Sequence, residues 1–215
     1  MSAAATLEAL RARIRALEGG PRVVRRRAPS GVDEVDELLG GLPKPGIVEV
    51  CGAAGVGRVR LVGALVAAAT QRRRAVAWVD PLRRLHPPAL HDLGVELGLL
   101  LVVRPAEDGT SPWLWATEQL LRSGCFELVV VERPPVEAKG LPRRPVGARW
   151  ARAAEHGQST ALVLGDRPAR QLTADVRLSL GPEGAMVVRD RGGHTAGHGG
   201  GHVPLPPWPL AASPW

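Results

Sequence analysis

The sequence predicts an α/β protein with a mainly parallel, doubly wound sheet, and three observations carry that prediction. Strand-like and helix-like runs alternate along the chain, as βαβ crossovers require. The run Leu128-Val129-Val130-Val131 is apolar without alternation, as a parallel strand covered on both faces must be. A glycine-rich turn, residues 52–57, stands between a strand-like run and a largely apolar helical one. Sheets of this kind bind ligands at the carboxyl ends of their strands.

The elements follow in order. Residues 5–18 place Leu7, Leu10, Ile14 and Leu17 on one stripe, with Arg11, Arg13 and Arg15 elsewhere, and Gly19-Gly20-Pro21 stops this amphipathic helix. An arginine-rich linker follows (Arg22, Arg25, Arg26, Arg27). Ser30-Gly31-Val32-Asp33 then opens a second helical pattern with Val35, Leu38 and Leu39 on one side, broken at Gly40-Gly41-Leu42-Pro43. Residues 46–51 read as a strand and 59–70 as a helix. Residues 75–79 form a second strand, ending at Asp80; 89–93 a short helix; 99–103 a strand; 112–123 a helix containing Trp113, Leu114, Leu120 and Leu121. The strand at 128–131, ending at Glu132, is expected to be central. Residues 146–156 return to helix and 160–164 to strand, and 176–180 with 185–188 form an antiparallel hairpin around Pro182-Glu183-Gly184. From Arg191 onward glycine, histidine and proline dominate. The expected organisation is an N-terminal helix and basic linker over 1–27, a core over 28–191 and a low-complexity Gly/His/Pro-rich tail over 192–215.

A chain of 215 residues holds one domain of ordinary size plus appendages. No stretch of about 18 uncharged apolar residues exists, which argues against a membrane span. The N-terminus has no apolar h-region, and Cys51 and Cys125 cannot form a disulfide framework, so a cytoplasmic protein in a reducing compartment is expected. Two cysteines alone make no structural zinc site, and no metal ligand set is assigned. The 28 Lys plus Arg exceed the 21 Asp plus Glu by seven, and only Lys44 and Lys139 are lysines. A polyanion is one explanation and an arginine-favouring composition is the other.

The turn poses the sharpest chemical question. A phosphate loop of the form Gly, four residues, Gly, Lys, Ser or Thr wraps phosphates in backbone N–H groups at a helix N-terminus, while the ammonium reaches the outer oxygens and the hydroxyl holds magnesium. Here the segment is Gly52-Ala53-Ala54-Gly55-Val56-Gly57-Arg58-Val59. Both frame glycines are present, but Arg58 replaces the lysine and Val59 the hydroxyl. A guanidinium fork is larger than an ammonium and aims differently, so the exchange is not conservative. The anion nest survives on this reading and the metal ligand is lost. Phosphoryl transfer also needs an acid at the end of a central strand and another to activate water. Glu132 fits the first role, with a solvated strand-end acid paired to Arg133 or a neighbour as the alternative. Asp80 ends its strand, but Pro81, Leu82, Arg83 and Arg84 follow it with no further carboxylate. Hydrolysis is therefore expected to be weak or lost.

Taken in order, Ser30-Gly31 to Leu39-Gly40-Gly41-Leu42-Pro43, the phrase Gly46 to Gly52, Trp78-Val79-Asp80 with Leu93-Gly94-Val95, and Leu128 to Glu132 resemble the ATPase core of the bacterial recombinase RecA. Thr160 to Leu164 and Ala174-Asp175-Val176-Arg177-Leu178 resemble its later strands, and the likeness runs over about residues 25–190. The resemblance would place that family's catalytic glutamate at Leu82, its loop lysine at Arg58, its loop hydroxyl at Val59 and its strand-end aspartate at Glu132. It also implies two DNA-lining segments, at 134–145 and 166–173, both shortened here. A short, degenerate relative of this kind resembles the ImuA family of bacterial mutagenesis cassettes and, more distantly, the cell-division inhibitor SulA.

The resemblance implies an accessory protein of error-prone translesion synthesis in the SOS response. It would bind RecA, an ImuB-type homologue of Y-family polymerases and, through the complex, an error-prone polymerase, with ATP possible and no cofactor required. A DNA-stimulated ATPase of the same pathway, working through Glu132, is the enzymatic alternative. The stripe Leu7, Leu10, Ile14, Leu17 would dock onto RecA, unless it packs on its own core. Arg143, Arg144, Arg149 and Arg152 are candidate DNA contacts, with Trp150 among them as a stacking or core residue, and Arg22 and Arg25 to Arg27 make a second basic cluster. In the tail, His194, His198 and His202 recur within glycine, which cannot hold them in alignment. Trp208 and Trp215 sit in proline-rich surroundings suited to a partner's groove.

Overall fold

The computed structural model describes residues 26–106, 112–134 and 146–191, together with the backbone of 202–203. The stripe Leu7, Leu10, Ile14, Leu17, the basic pair Arg143 and Arg144, and the tail residues His194, His198, Trp208 and Trp215 lie outside the described residues. A short ribbon, β1 (Arg27–Ala28) with β2 (Leu42–Pro43), brackets helix α1 (Asp33–Leu39). The Asp36 carboxylate accepts the Ser30 N–H at 2.8 Å, fixing the entry to α1, and Gly40 closes the helix in the left-handed conformation. Arg27, at the end of the stretch read as linker, pairs with Asp190 and belongs to the fold.

The main sheet contains β3 (Gly46–Cys51), β4 (Val76–Val79), β5 (Leu100–Val103), β6 (Leu128–Glu132), β7 (Thr160–Gly165), β8 (Val176–Gly181), β9 (Gly184–Asp190) and β10 (His202–Val203). Their spatial order is β10-β9-β8-β3-β7-β6-β4-β5. From β8 to β5 every pairing is parallel, and β9 and β10 close one edge antiparallel. The predicted hairpin is present as β8–β9. One expectation is corrected. The strand ending at Glu132 is interior, between β7 and β4, but β3 and β7 hold the middle of the sheet. An unbroken apolar run reports burial on both faces, which β3, β4, β6 and β7 share, so it cannot rank them.

Helix α2 (Arg58–Gln71) follows β3, α3 (Pro87–Asp92) follows β4, α4 (Pro112–Arg122) follows β5, and α5 (Gly147–Gly157) follows β6. Alternation along each strand sorts the core into two layers. Val48, Val50, Trp78, Val130 and Leu162 point to the face covered by α1, α2 and α3. Ile47, Ala77, Val79, Val129, Val131 and Val163 point to the face covered by α4 and α5, where Trp113 and Trp150 meet edge to face at 6.1 Å. Trp150 is a core residue, its indole N–H donating to the Leu114 carbonyl at 3.3 Å. Among the described residues no helix is long and apolar enough to cross a membrane.

Candidate functional site

Four parallel strands deliver chemistry to one end of the sheet. Val79 is in register with Val131, so Asp80 and Glu132 leave adjacent strands side by side. Glu132 is in register with Leu164, so Gly165 and Asp166 follow on the next strand, and Cys51 is level with Gly165, which sets the glycine turn beside them.

The turn keeps the geometry of a phosphate loop. A Cβ on Gly52 would meet the Leu180 carbonyl oxygen at 2.6 Å and Val56 Cγ2 at 2.8 Å, so only glycine lets the chain pass β8 there. Gly55 and Gly57 have φ of 86° and 92°, and the space where their side chains would stand is open, so a ligand can approach this backbone. Gly57 is the N-cap of α2, whose first turn holds no acid and two arginines, Arg58 and Arg60. A helix N-terminus repels cations and attracts anions, so this arrangement calls for a counter-ion. The Asp166 carboxylate supplies one, 3.0 Å from Arg58 Nη2. Val59, where a hydroxyl would ligate magnesium, is 46% exposed and carries no ligand atom.

The carboxylates divide by what they touch. Asp80 is fully buried and fully engaged: it accepts the N–H groups of Arg84 at 2.9 Å and Leu85 at 3.1 Å, and Arg104 Nε at 3.1 Å. Arg104 continues to the Leu85 carbonyl at 3.0 Å, so Asp80 holds together the turn after β4. Glu132 is half-buried and makes no hydrogen bond or ion pair among the described residues. Burial and then the Asp80 charge push its pKa up, against Arg84 and Arg58, which pull it down. The alternative pairing of Glu132 with Arg133 is not present. Arg133 is buried over Gly165 and donates instead to the Arg167 carbonyl.

Below the loop, Glu49 in the middle of β3 is fully buried. It accepts the Ala169 N–H at 2.7 Å and Arg177 Nε at 2.6 Å. Burial first, and the Glu49 charge second, raise the neighbouring Cys51 thiol to about 12, leaving it inert. The segment after β7 is thus tied down through Asp166, Arg167 and Ala169. Sequence reasoning missed Asp166, whose signal was its place directly after a parallel strand, and Glu49, whose neighbours in the strand are all apolar.

Of the candidate DNA contacts, Arg149 and Arg152 lie exposed on α5, with Arg149 paired to Glu118 of α4. Gly147, which opens α5, donates to the Gln171 carbonyl at 3.2 Å, packing the start of α5 on the segment after β7. Among the described residues no group of three or more His, Cys, Asp or Glu is placed to hold a metal ion. The site can receive an anion on open backbone and an arginine, but the described residues present neither a metal cage nor the loop hydroxyl.

Comparisons with known proteins agree with this geometry. Residues 24–144, more than half of the chain, match the RecA N-terminal domain. The chain is similar to protein RecA of Caulobacter vibrioides, 39% identical over 94 residues, which is 44% of this chain and 26% of that protein. It is similar to protein RecA of Treponema pallidum, 35% identical over 106 residues, 48% of this chain and 26% of the relative. Against protein RecA of Brucella anthropi it is 33% identical over 117 residues, 54% of this chain and 32% of the relative. The chain therefore spans only about a quarter to a third of the length of these curated relatives.

Proposed function

The chain belongs to the RecA N-terminal domain family, and on that premise we propose that it is an accessory protein of error-prone translesion synthesis. In this reading it binds RecA and an ImuB-type partner, reaches an error-prone polymerase through that complex, contacts DNA, and needs no chemistry of its own. The observation that carries the proposal is the state of the phosphate loop. The scaffold is intact from β3 through α2, yet the loop arginine is paired to Asp166, the hydroxyl position is Val59, and Asp80 is spent on its own turn. A sheet that keeps its phosphate loop but lacks the loop lysine and hydroxyl suits binding better than turnover.

Partner contacts are proposed for Leu7, Leu10, Ile14 and Leu17 toward RecA and for Trp208 and Trp215 toward the ImuB-type protein. DNA contacts are proposed for Arg143, Arg144, Arg149 and Arg152. Deleting residues 1–20 should abolish capture by RecA, and capture at wild-type level would reject that assignment. One observation favours a second reading, a DNA-stimulated ATPase. Glu132 is held half-buried, unpartnered and raised in pKa at a strand end beside the loop, as a working acid would be. Phosphate release that Glu132→Gln abolishes would establish it, and no release above a mock preparation would exclude it.

A further inference from the structure

The amino ends of the strands, opposite the glycine loop, carry a cluster of cations that the site above does not use. Lys44 lies just before β3, Arg72, Arg73 and Arg74 lie between α2 and β4, and Glu127 lies just before β6. Glu127 binds Lys44 Nζ at 3.0 Å, Arg72 Nη2 at 3.2 Å and Arg74 Nε at 3.5 Å, drawing three cations to one carboxylate. Arg26, exposed, neighbours Lys44 along the backbone, its carbonyl accepting the Lys44 N–H at 2.8 Å. Arg72 also reaches the Ser30 carbonyl at 2.8 Å, and no acid of α1 forms an ion pair with any of these cations among the described residues.

Arg73 is the informative member. Its N–H bonds the Thr70 carbonyl at 2.9 Å and the Arg74 N–H bonds the Ala69 carbonyl at 3.0 Å, which together make the Schellman end of α2. Arg73 occupies its left-handed position, with φ of 61°. Glycine adopts that conformation without penalty and is the usual occupant. In a chain with 26 glycines, this position holds an exposed arginine instead, and its side chain makes no hydrogen bond or ion pair among the described residues. Non-glycine residues held in that conformation cluster at ligand clamps and active sites.

We propose that Arg26, Lys44, Arg72, Arg73 and Arg74 form a binding surface for the phosphodiester backbone of duplex nucleic acid, separate from the loop end of the sheet. Five neighbouring cations, three of them paired to a single carboxylate, complement a dense row of negative charge, and guanidinium forks match phosphate oxygens in pairs. None of the exposed large apolar residues described belongs to these segments, so they offer no apolar side chain to insert into a lipid interface and no aromatic ring to stack on unpaired bases. The proposal does not depend on the accessory role above.

The test is fluorescence anisotropy of the full chain with a labelled duplex of mixed sequence, titrated at several salt concentrations. For wild type the logarithm of the association constant should fall with log salt by about 0.9 per phosphate engaged. Arg73→Gly should leave the melting temperature unchanged or higher, weaken the duplex severalfold, and lower the salt slope by about one. The double charge reversal Arg73→Glu with Arg74→Glu should abolish binding; if it does not fold, the glycine variant alone decides. Three results would overturn the proposal: duplex affinity and slope unchanged in Arg73→Gly, a lower melting temperature with unchanged affinity, or binding to phosphatidylcholine–phosphatidylserine vesicles in preference to duplex. Loss of affinity only on changing Arg149 and Arg152 would place the DNA contact at α5 instead.

Discussion

At the residue scale the account turns on Arg58 and its partner. An arginine at the first turn of a helix is electrostatically misplaced unless an anion meets it, and Asp166 meets it at 3.0 Å with its own side chain largely in solvent. A pair of that exposure is worth little in stability, on the order of 0 to 1 kcal/mol, so its importance lies in what it excludes. A phosphate arriving at the loop must displace a carboxylate already in place. Asp166→Asn should therefore raise the affinity for inorganic phosphate several-fold by titration calorimetry, and an unchanged affinity would mean that Arg58 is not the group the anion meets. Glu132 gives a second prediction through pH. Its pKa is raised above the ordinary 4.5, so the folded state holds the proton more tightly than the unfolded chain. Its penalty is absent below the unfolded value and grows as pH rises from 4.5 through the folded value. Glu132→Gln should raise the melting temperature at pH 7 and lose that advantage in acid, and a variant less stable than wild type at pH 7 would contradict it.

At the scale of elements, the loop end depends on a charge placed inside the sheet. Glu49 joins β3 to β8 through Arg177 and to the segment after β7 through the Ala169 N–H. Removing one member of a buried pair strands the other, at a cost of about 3–5 kcal/mol. Glu49→Ala should show that loss in urea unfolding, whereas replacing Glu49 and Arg177 together by apolar residues of similar volume should recover much of it. Equal losses from the single and double changes would mean that the pair does not act as a unit. This tie also shows where sequence reading stops. The strands and the glycine turn were legible because unbroken apolar runs and a strand–turn–helix order are local signals. The partners of Glu49 lie 120 and 128 residues away, and nothing at Asp80 points to Arg104, its partner after the adjacent strand β5, 24 residues on. Arg58 stood out in the loop pattern, but its pairing with Asp166 is a product of β3–β7 pairing and has no local signature.

Across the whole molecule, the two ends of the sheet have separate electrostatic characters. The carboxyl ends gather Asp80, Glu132 and Asp166 against Arg58, Arg84 and Arg104, while the amino ends gather cations around Glu127. Burial raises the Glu127 pKa, but hydrogen bonds from Lys44 and Arg72 outweigh it and hold the carboxyl below its usual range. The stability this gives is present above the ordinary carboxylate value and fades as pH falls through the lowered one. The family membership and the parallel sheet account for the scaffold, within which the loop carries Arg58 paired to Asp166 and an exposed Val59. The most direct measurement is co-purification of the full chain with RecA and an ImuB-type protein, with and without ATP. The account predicts capture of both in either condition. Capture of neither, or capture only while ATP is being hydrolysed, would contradict it.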